Sequence, residues 1–237
     1  MKKLSIVIPV YNEKGTVRAL FDALVKVDFQ SKGFDREILF IDDFSTDGTR
    51  DILKELAEYD GVSVTYQHKN QGKGAALRTG FQQATGDFVV VQDADLEYNP
   101  QDFLLLLDVV QKFDADVVYG SRFASDGPRK ILNFWHYLGN TFLTTISNLF
   151  SGWNLTDMET CYKMIRRDVL QKINLYENRF GIEPELTAKL AKFKRLKVYE
   201  VPIFYLGRSY DEGKKIGWKD GVRAIYCIIK YNLSKKT

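Results

Sequence analysis

Cysteine and histidine are scarce in this 237-residue chain, which carries two of each. Cys161 and Cys227 stand far apart with no metal-ligand spacing, so neither a zinc centre nor a disulfide framework is expected, and a reducing compartment fits best. His68 and His136 join no ligand-like cluster and are assigned no role. Charge of one sign is lacking as well: 34 Lys and Arg against 31 Asp and Glu leave a net charge of +3, too even for a nucleic-acid partner, and no basic stripe is present. No apolar run reaches the roughly 18 residues that a membrane span requires. The first strand-like run, Leu4 to Val10, comes so early that no signal peptide is expected. These absences point to a cytoplasmic chain, or to one lying on the cytoplasmic face of a membrane without crossing it. Neither an internal repeat nor a low-complexity segment is found.

What the chain does have is enough apolar residues, 45%, to fill the core of one α/β unit. Up to residue 120, short β-branched runs alternate with helical periodicity, the order expected of a mostly parallel, Rossmann-like sheet flanked by helices. The strand candidates are Leu4 to Val10, Glu37 to Ile41, Val62 to Gln67, Phe88 to Val91 and Asp116 to Tyr119. Val17, Leu20, Phe21, Leu24 and Val25 share one helix face. Ile52, Leu53 and Leu56 mark a second, shorter helix, which Thr46 or Asp47 would cap.

After residue 120 the alternation stops, and residues 131–156 contain no Asp, Glu, Lys or Arg. The chain is therefore divided into two functional halves of one domain, 1–120 and 121–237. In the second half, Ile131, Phe134, Trp135, Leu138, Phe142, Ile146, Leu149 and Phe150 form an apolar helical stripe. Core, dimer contact and membrane surface all remain open for it. A helix near Glu183 to Ala191, a strand near Leu196 to Val201 and an amphipathic stretch from Trp218 to Tyr231 follow.

The chemistry-bearing residues gather where strands end. Asp93-Ala94-Asp95 follows the strand Phe88 to Val91. Alternation along an extended chain would turn both carboxylates, and Glu97 after them, to one side, which suits a hard divalent cation shared with substrate phosphates. Pro9, Tyr11, Asn12 and Glu13 end the first strand, and Asp42 and Asp43 the second. Gln71-Gly72-Lys73-Gly74 opens a helix after the third, where glycines let backbone amides and a lysine approach a base, ribose or phosphate. Open α/β sheets bind ligands at the carboxyl ends of their strands, so the convergence of four segments there marks the candidate site.

These motifs, Ser5-Ile-Val-Ile-Pro-Val-Tyr-Asn-Glu13, Ile41-Asp-Asp-Phe-Ser-Thr-Asp-Gly-Thr49, Asn70-Gln-Gly-Lys-Gly-Ala75 and Gln92-Asp-Ala-Asp-Leu-Glu97, resemble in identity and order those of the family 2 glycosyltransferases with the GT-A fold. The resemblance implies an inverting, metal-dependent hexosyltransferase. Pro9, Tyr11, Glu13 and Asp43 would surround the nucleotide of a GDP- or UDP-hexose, while Asp93 and Asp95 would manage the sugar diphosphate and its Mg²⁺ or Mn²⁺. The second half looks like the polyprenyl-phosphate (dolichyl-phosphate type) mannosyl- or glucosyltransferases, through Gly120-Ser-Arg-Phe123, Asp157-Met-Glu-Thr-Cys-Tyr-Lys163, Arg179-Phe-Gly-Ile-Glu-Pro-Glu185 and Arg208 to Gly221. Two departures stand out. Glu97 occupies a position where several relatives carry Gln, and the C-terminal transmembrane helices of some members are missing.

On that resemblance a cation on Asp95 and Glu97 would neutralise the diphosphate leaving group, Asp93 would orient sugar or nucleotide, and Arg208, Lys214 and Lys215 would close over the diphosphate. A phosphate acceptor is already an anion and needs cations rather than a base. Arg122 and Arg129 would hold a polyprenyl phosphate while residues 131–150 lie against the bilayer. Were the acceptor a saccharide hydroxyl, Asp157 and Glu183 are the candidate bases. A non-catalytic nucleotide-binding subunit is the remaining alternative, against which the intact Asp93 and Asp95 speak.

Overall fold

A computed structural model describes residues 1–124, 130–131, 133–207 and 218–234 of the chain. Strands β1 (Lys2–Val10), β2 (Phe34–Asp42), β3 (Val62–Tyr66), β4 (Phe88–Val91), β5 (Val117–Ser121), β6 (Lys163–Arg166) and β7 (Val198–Pro202) form one sheet in the order β3-β2-β1-β4-β6-β5-β7. β1 runs parallel to β2 and β4, β2 parallel to β3, and β5 parallel to β7, whereas β6 is antiparallel to both β4 and β5. The fold is thus the mostly parallel α/β arrangement expected, with one reversed strand in its middle.

Parallel strands covered on both faces are apolar without alternation. β1 obeys this rule: Leu4, Ile6, Val7 and Ile8 are all fully buried. The register sets Val10 beside Asp42 and Val7 beside Val91, so β1, β2 and β4 end along one edge. Helices α1 (Val17–Val25), α2 (Thr49–Leu56), α3 (Lys73–Gln83) and α4 (Phe103–Phe113) connect the first strands, and α1 buries Val17, Leu20, Phe21 and Leu24, the face set by their spacing. The second half contributes α5 (Phe134–Ser151), the single turn α6 (Arg167–Leu170), α7 (Ile182–Leu190) and α8 (Trp218–Leu233). Because β6 and β7 join the sheet begun by residues 1–120, the two halves share one core.

Three local features go beyond the sequence reading. β6 was not anticipated, because Lys163 and Arg166 break its apolar pattern; Lys163 is nonetheless buried, with its ammonium on the Glu183 carboxylate at 2.5 Å. The residue at the cap position just before α2 is Gly48, left-handed at φ 96°, and Asp47 supports the turn by accepting from Thr49 N at 3.0 Å. α5 narrows the three readings left open for its stripe. Its buried residues are Thr144 and Ser147, while Phe134, Trp135, Phe142 and Leu149 are 64%, 73%, 54% and 79% exposed. Core packing is therefore excluded for most of the apolar stripe, although Leu143 and Ile146 do pack against the core. Among the described residues, no helix is long and apolar enough to cross a membrane.

Candidate active site

The loops after β1, β2 and β4 each hold one non-glycine residue in the left-handed region, Asn12 at φ 54°, Phe44 at φ 70° and Leu96 at φ 62°. Such backbone is costly and concentrates at functional sites, where surrounding contacts hold it. Here the contacts stitch two loops together. Asn12 N donates to Ser45 Oγ at 2.9 Å, Thr46 N donates to Asn12 Oδ1 at 2.8 Å, and Glu13 N donates to Thr49 Oγ1 at 2.9 Å. Pro9 and Glu13 are half-buried beside them and Tyr11 is exposed. Thr16 Oγ1 donates to Glu13 Oε2 at 2.7 Å.

Asp42 and Asp43, adjacent in sequence, do different things. Asp42 is fully buried and holds Arg50, whose Nε lies 2.6 Å from Oδ2. Arg50 in turn packs against the rings of Phe44 and Tyr66, 5.1 and 5.5 Å from their centroids. Asp43 accepts from Gln71 N at 2.8 Å and Gly72 N at 2.7 Å, and so fixes the glycine-rich turn against the end of β2. Burial raises its pKa despite these two bonds. The turn needs its glycines. Gly72 sits at φ 97°, and a Cβ on Gly74 would stand 2.2 Å from the Glu177 carbonyl oxygen.

That turn delivers Lys73 to the acidic segment after β4. Its ammonium lies 2.7 Å from Asp93 Oδ1 and 3.4 Å from Glu183 Oε1. Burial alone would lower its pKa, but Asp93 and then Glu183 hold it well above the ordinary lysine value. Residues 93–97 form a turn rather than a continued strand, so the carboxylates are aimed by a bend at Leu96 instead of by strand alternation. Asp93, Asp95 and Glu97 are each half-exposed, while Ala94 is packed in the core. Glu97 N donates to Asp95 Oδ1 at 3.2 Å, and Tyr205 Oη donates to Glu97 Oε2 at 2.7 Å. Among the described residues, no three His, Cys, Asp or Glu side chains form a ready-made metal cage. The donor set matches the other way of holding Mg²⁺ or Mn²⁺, through one or two carboxylates completed by substrate phosphates.

Arg122 and Asp157, expected as separate catalytic groups, are bonded to each other. Nε and Nη2 lie 2.6 and 2.7 Å from the two carboxylate oxygens, and Arg122 N donates to Oδ2 at 3.0 Å. Burial opposes the charge on Arg122, but Asp157 keeps its pKa well above the ordinary value. Nη2 also donates to Asn140 Oδ1 on α5 at 3.2 Å, which ties this cation to the helix with the uncovered apolar face. Glu183 lies between Lys73 and Lys163. Neither candidate base is therefore without a cation. Arg129, Arg208, Lys214 and Lys215 fall outside the described residues.

Four contributors went unnoticed in the sequence. Lys163 and Tyr205 act through contacts between distant segments, and Arg50 through Asp42, eight residues before it. Glu159 lay in plain view inside the Asp157 to Lys163 motif. Its Oε1 is enclosed without a hydrogen-bond partner among the described residues, as is Thr160 Oγ1, whereas Glu183 Oε1 keeps the Lys73 ammonium at 3.4 Å. Burial pushes the Glu159 carboxyl up to about 7, against the pull of Lys163 and Arg122. Cys161 is buried with Sγ 3.7 Å from the Val91 carbonyl oxygen, the packed role expected of it. A polar recess of about 450 Å³ lined by Lys3, Glu37 and Asp60 lies at the amino ends of β1, β2 and β3, on the edge opposite this chemistry.

The model of the family described as glycosyl transferase family 2 matches residues 5–174, which includes the motifs that follow β1, β2, β3 and β4. The chain belongs to glycosyl transferase family 2. Within the family it is similar to a dolichol-phosphate mannosyltransferase of Pyrococcus furiosus, with 30% identity over 97% of this chain and 64% of that protein. A second relative, the glycosyltransferase AglJ of Haloferax volcanii, is 32% identical over 86% of this chain and 63% of its own length. The chain thus spans less than two thirds of either relative. Among solved structures, glucosyl-3-phosphoglycerate synthase from Mycobacterium tuberculosis, in complex with Mn²⁺, UDP and phosphoglyceric acid, superposes with a TM-score of 0.73 over 100% of this chain and 80% of that one. At 17% identity, that match speaks for the fold of this family 2 member.

Proposed function

We propose that this family 2 chain is an inverting, metal-dependent hexosyltransferase that moves mannose or glucose from a GDP- or UDP-hexose to a polyprenyl phosphate. The observation that carries the reading is the contact between Arg122 and Asn140, which sets a buried guanidinium directly beside a helix whose aromatic residues face outward. An acceptor with a phosphate head and an apolar tail asks for that pairing. The P. furiosus relative, named for a dolichol-phosphate reaction, supports the same acceptor class.

On the donor side, Asp43 and the loops carrying Pro9, Tyr11 and Glu13 receive the nucleotide, and Gly72 and Lys73 meet the diphosphate. Asp95 and Glu97 would hold Mg²⁺ or Mn²⁺, whose charge offsets that developing on the diphosphate as the glycosidic bond breaks. Lys73 leaves Asp93 for the diphosphate, which frees Asp93 to orient the hexose. Glu159 and Thr160 present enclosed oxygens that suit sugar hydroxyls, since buried acceptors call for donors. The acceptor phosphate oxygen attacks the anomeric carbon from the side of Arg122 and needs no base, because it arrives as an anion. Arg129, Arg208, Lys214 and Lys215 supply further cations to the two phosphate groups. The split into a donor half, 1–120, and an acceptor half, 121–237, follows this division of labour. The apolar face of α5 lies on the cytoplasmic face of a membrane, with Trp135 and Tyr137 suited to the headgroup level.

A panel of GDP- and UDP-hexoses, incubated with the protein and Mn²⁺ or Mg²⁺, tests the donor side through nucleoside diphosphate release. Release that stops with chelator and with Asp95→Asn supports the reading. No release from any donor would turn it toward a nucleotide-binding subunit.

A further inference from the structure

Tyr205 touches both sides of the site. Its hydroxyl donates to Glu97 Oε2 at 2.7 Å, and its ring faces the Arg122 guanidinium, whose central carbon is 5.2 Å from the ring centroid. The segment around it is fixed from below. Leu206 N donates to the Glu97 carbonyl oxygen at 2.8 Å, Tyr98 and Tyr205 pair through their backbones, and their rings lie 5.0 Å apart. Tyr98 rests in turn on the buried Tyr162, with 4.8 Å between ring centroids. A tyrosine ring held this firmly cannot lose its place over Arg122 without moving its hydroxyl from Glu97.

We propose that Tyr205 is a positioning residue that links the metal-facing carboxylate Glu97 to the acceptor-facing cation Arg122, so that acceptor binding and metal binding strengthen each other. The inference rests on the roles given to Glu97 and Arg122 above. Partners that orient a metal-binding carboxylate typically change metal affinity about 10-fold or more when removed. Coupling of two binding sites is reciprocal, so an acceptor that engages Arg122 must tighten the metal by the factor that the metal tightens the acceptor. A cation over a tyrosine face adds attraction that a phenylalanine retains and a leucine does not. The hydroxyl and the ring can therefore be tested apart.

The experiment titrates Mn²⁺, followed by electron paramagnetic resonance, into the wild-type chain, Tyr205→Phe, Tyr205→Leu and Glu97→Gln, with UDP and separately GDP present, each with and without polyprenyl phosphate in detergent. In the wild type, polyprenyl phosphate tightens Mn²⁺ binding. Tyr205→Phe weakens Mn²⁺ binding about 10-fold at an unchanged melting temperature, and combined with Glu97→Gln it adds no further loss. Tyr205→Leu also abolishes the effect of polyprenyl phosphate on Mn²⁺. Wild-type affinity in Tyr205→Phe alongside weakened affinity in Glu97→Gln overturns the inference and leaves the metal site standing. Wild-type affinity in Glu97→Gln shows that the carboxylate charge oriented by Tyr205 does not set metal affinity, and it too overturns the inference. Should Tyr205→Leu unfold, the comparison of Tyr205→Phe with Glu97→Gln decides alone.

Discussion

Asp157 grips the Arg122 guanidinium through both carboxylate oxygens, at 2.6 and 2.7 Å, with the aspartate fully buried and the arginine side chain 10% exposed. Removing one partner of such a pair leaves an uncompensated buried charge, which costs about 3–5 kcal/mol. Asp157→Ala should lose stability on that scale in urea unfolding, and Arg122→Lys, which cannot reproduce the two-pronged contact, should raise the KM for polyprenyl phosphate. A stable Asp157→Ala protein with only an altered pH–rate profile would instead identify Asp157 as a base.

Lys73 bridges Asp93 and Glu183, and in the proposed function it is the cation that passes to the diphosphate. Lys73→Met removes a preorganised cation from the place where charge develops, and kcat should fall about 100-fold. Donor turnover measured by nucleoside diphosphate release checks this. Unchanged kcat would confine Lys73 to holding Asp93.

Glu159 gives the fold a pH dependence of defined sign. Its carboxyl is held at about 7 in the folded chain, above the ordinary 4.5, so the folded state keeps a proton that the unfolded chain has released. Its contribution is fully present below pH 4.5 and is lost as pH rises through about 7. Glu159→Gln should flatten the fall in melting temperature between pH 5 and about 8. An unchanged slope would show that Glu159 ionises freely in the folded chain.

The apolar face of α5 is open, so polar substitutions there should cost binding without costing stability. Trp135→Ser with Phe142→Ser is expected to lower partitioning onto anionic vesicles at least about 10-fold, equivalent to roughly 1.4 kcal/mol. The melting temperature and nucleoside diphosphate release should hold. A fall in melting temperature with no change in partitioning would place another protein surface, not lipid, over this face.

The sheet edge at the ends of β1, β2 and β4 was readable because its parts are local. β1 is one apolar run, Asp43 and Gly72 lie in short motifs, and the acidic turn follows its strand directly. The rest of the site is built from longer-range contacts, which no short window of sequence contains. Lys163 and Glu183 meet across the core, and Tyr205 reaches Glu97 across more than a hundred residues. β6 was hidden by its charged residues, and α5 shows that an apolar stripe at helical spacing does not reveal which side the fold covers.

Hexosyl transfer to a lipid phosphate has a direct test. Purified protein, Mg²⁺ or Mn²⁺, labelled GDP-mannose or UDP-glucose and polyprenyl phosphate in detergent are incubated together, and the organic phase is counted. Label in that phase, matched by nucleoside diphosphate release and lost with chelator, is the result expected. Donor turnover without labelled lipid would contradict the acceptor and turn attention to a saccharide hydroxyl, with Glu159 as the carboxyl to test as its base.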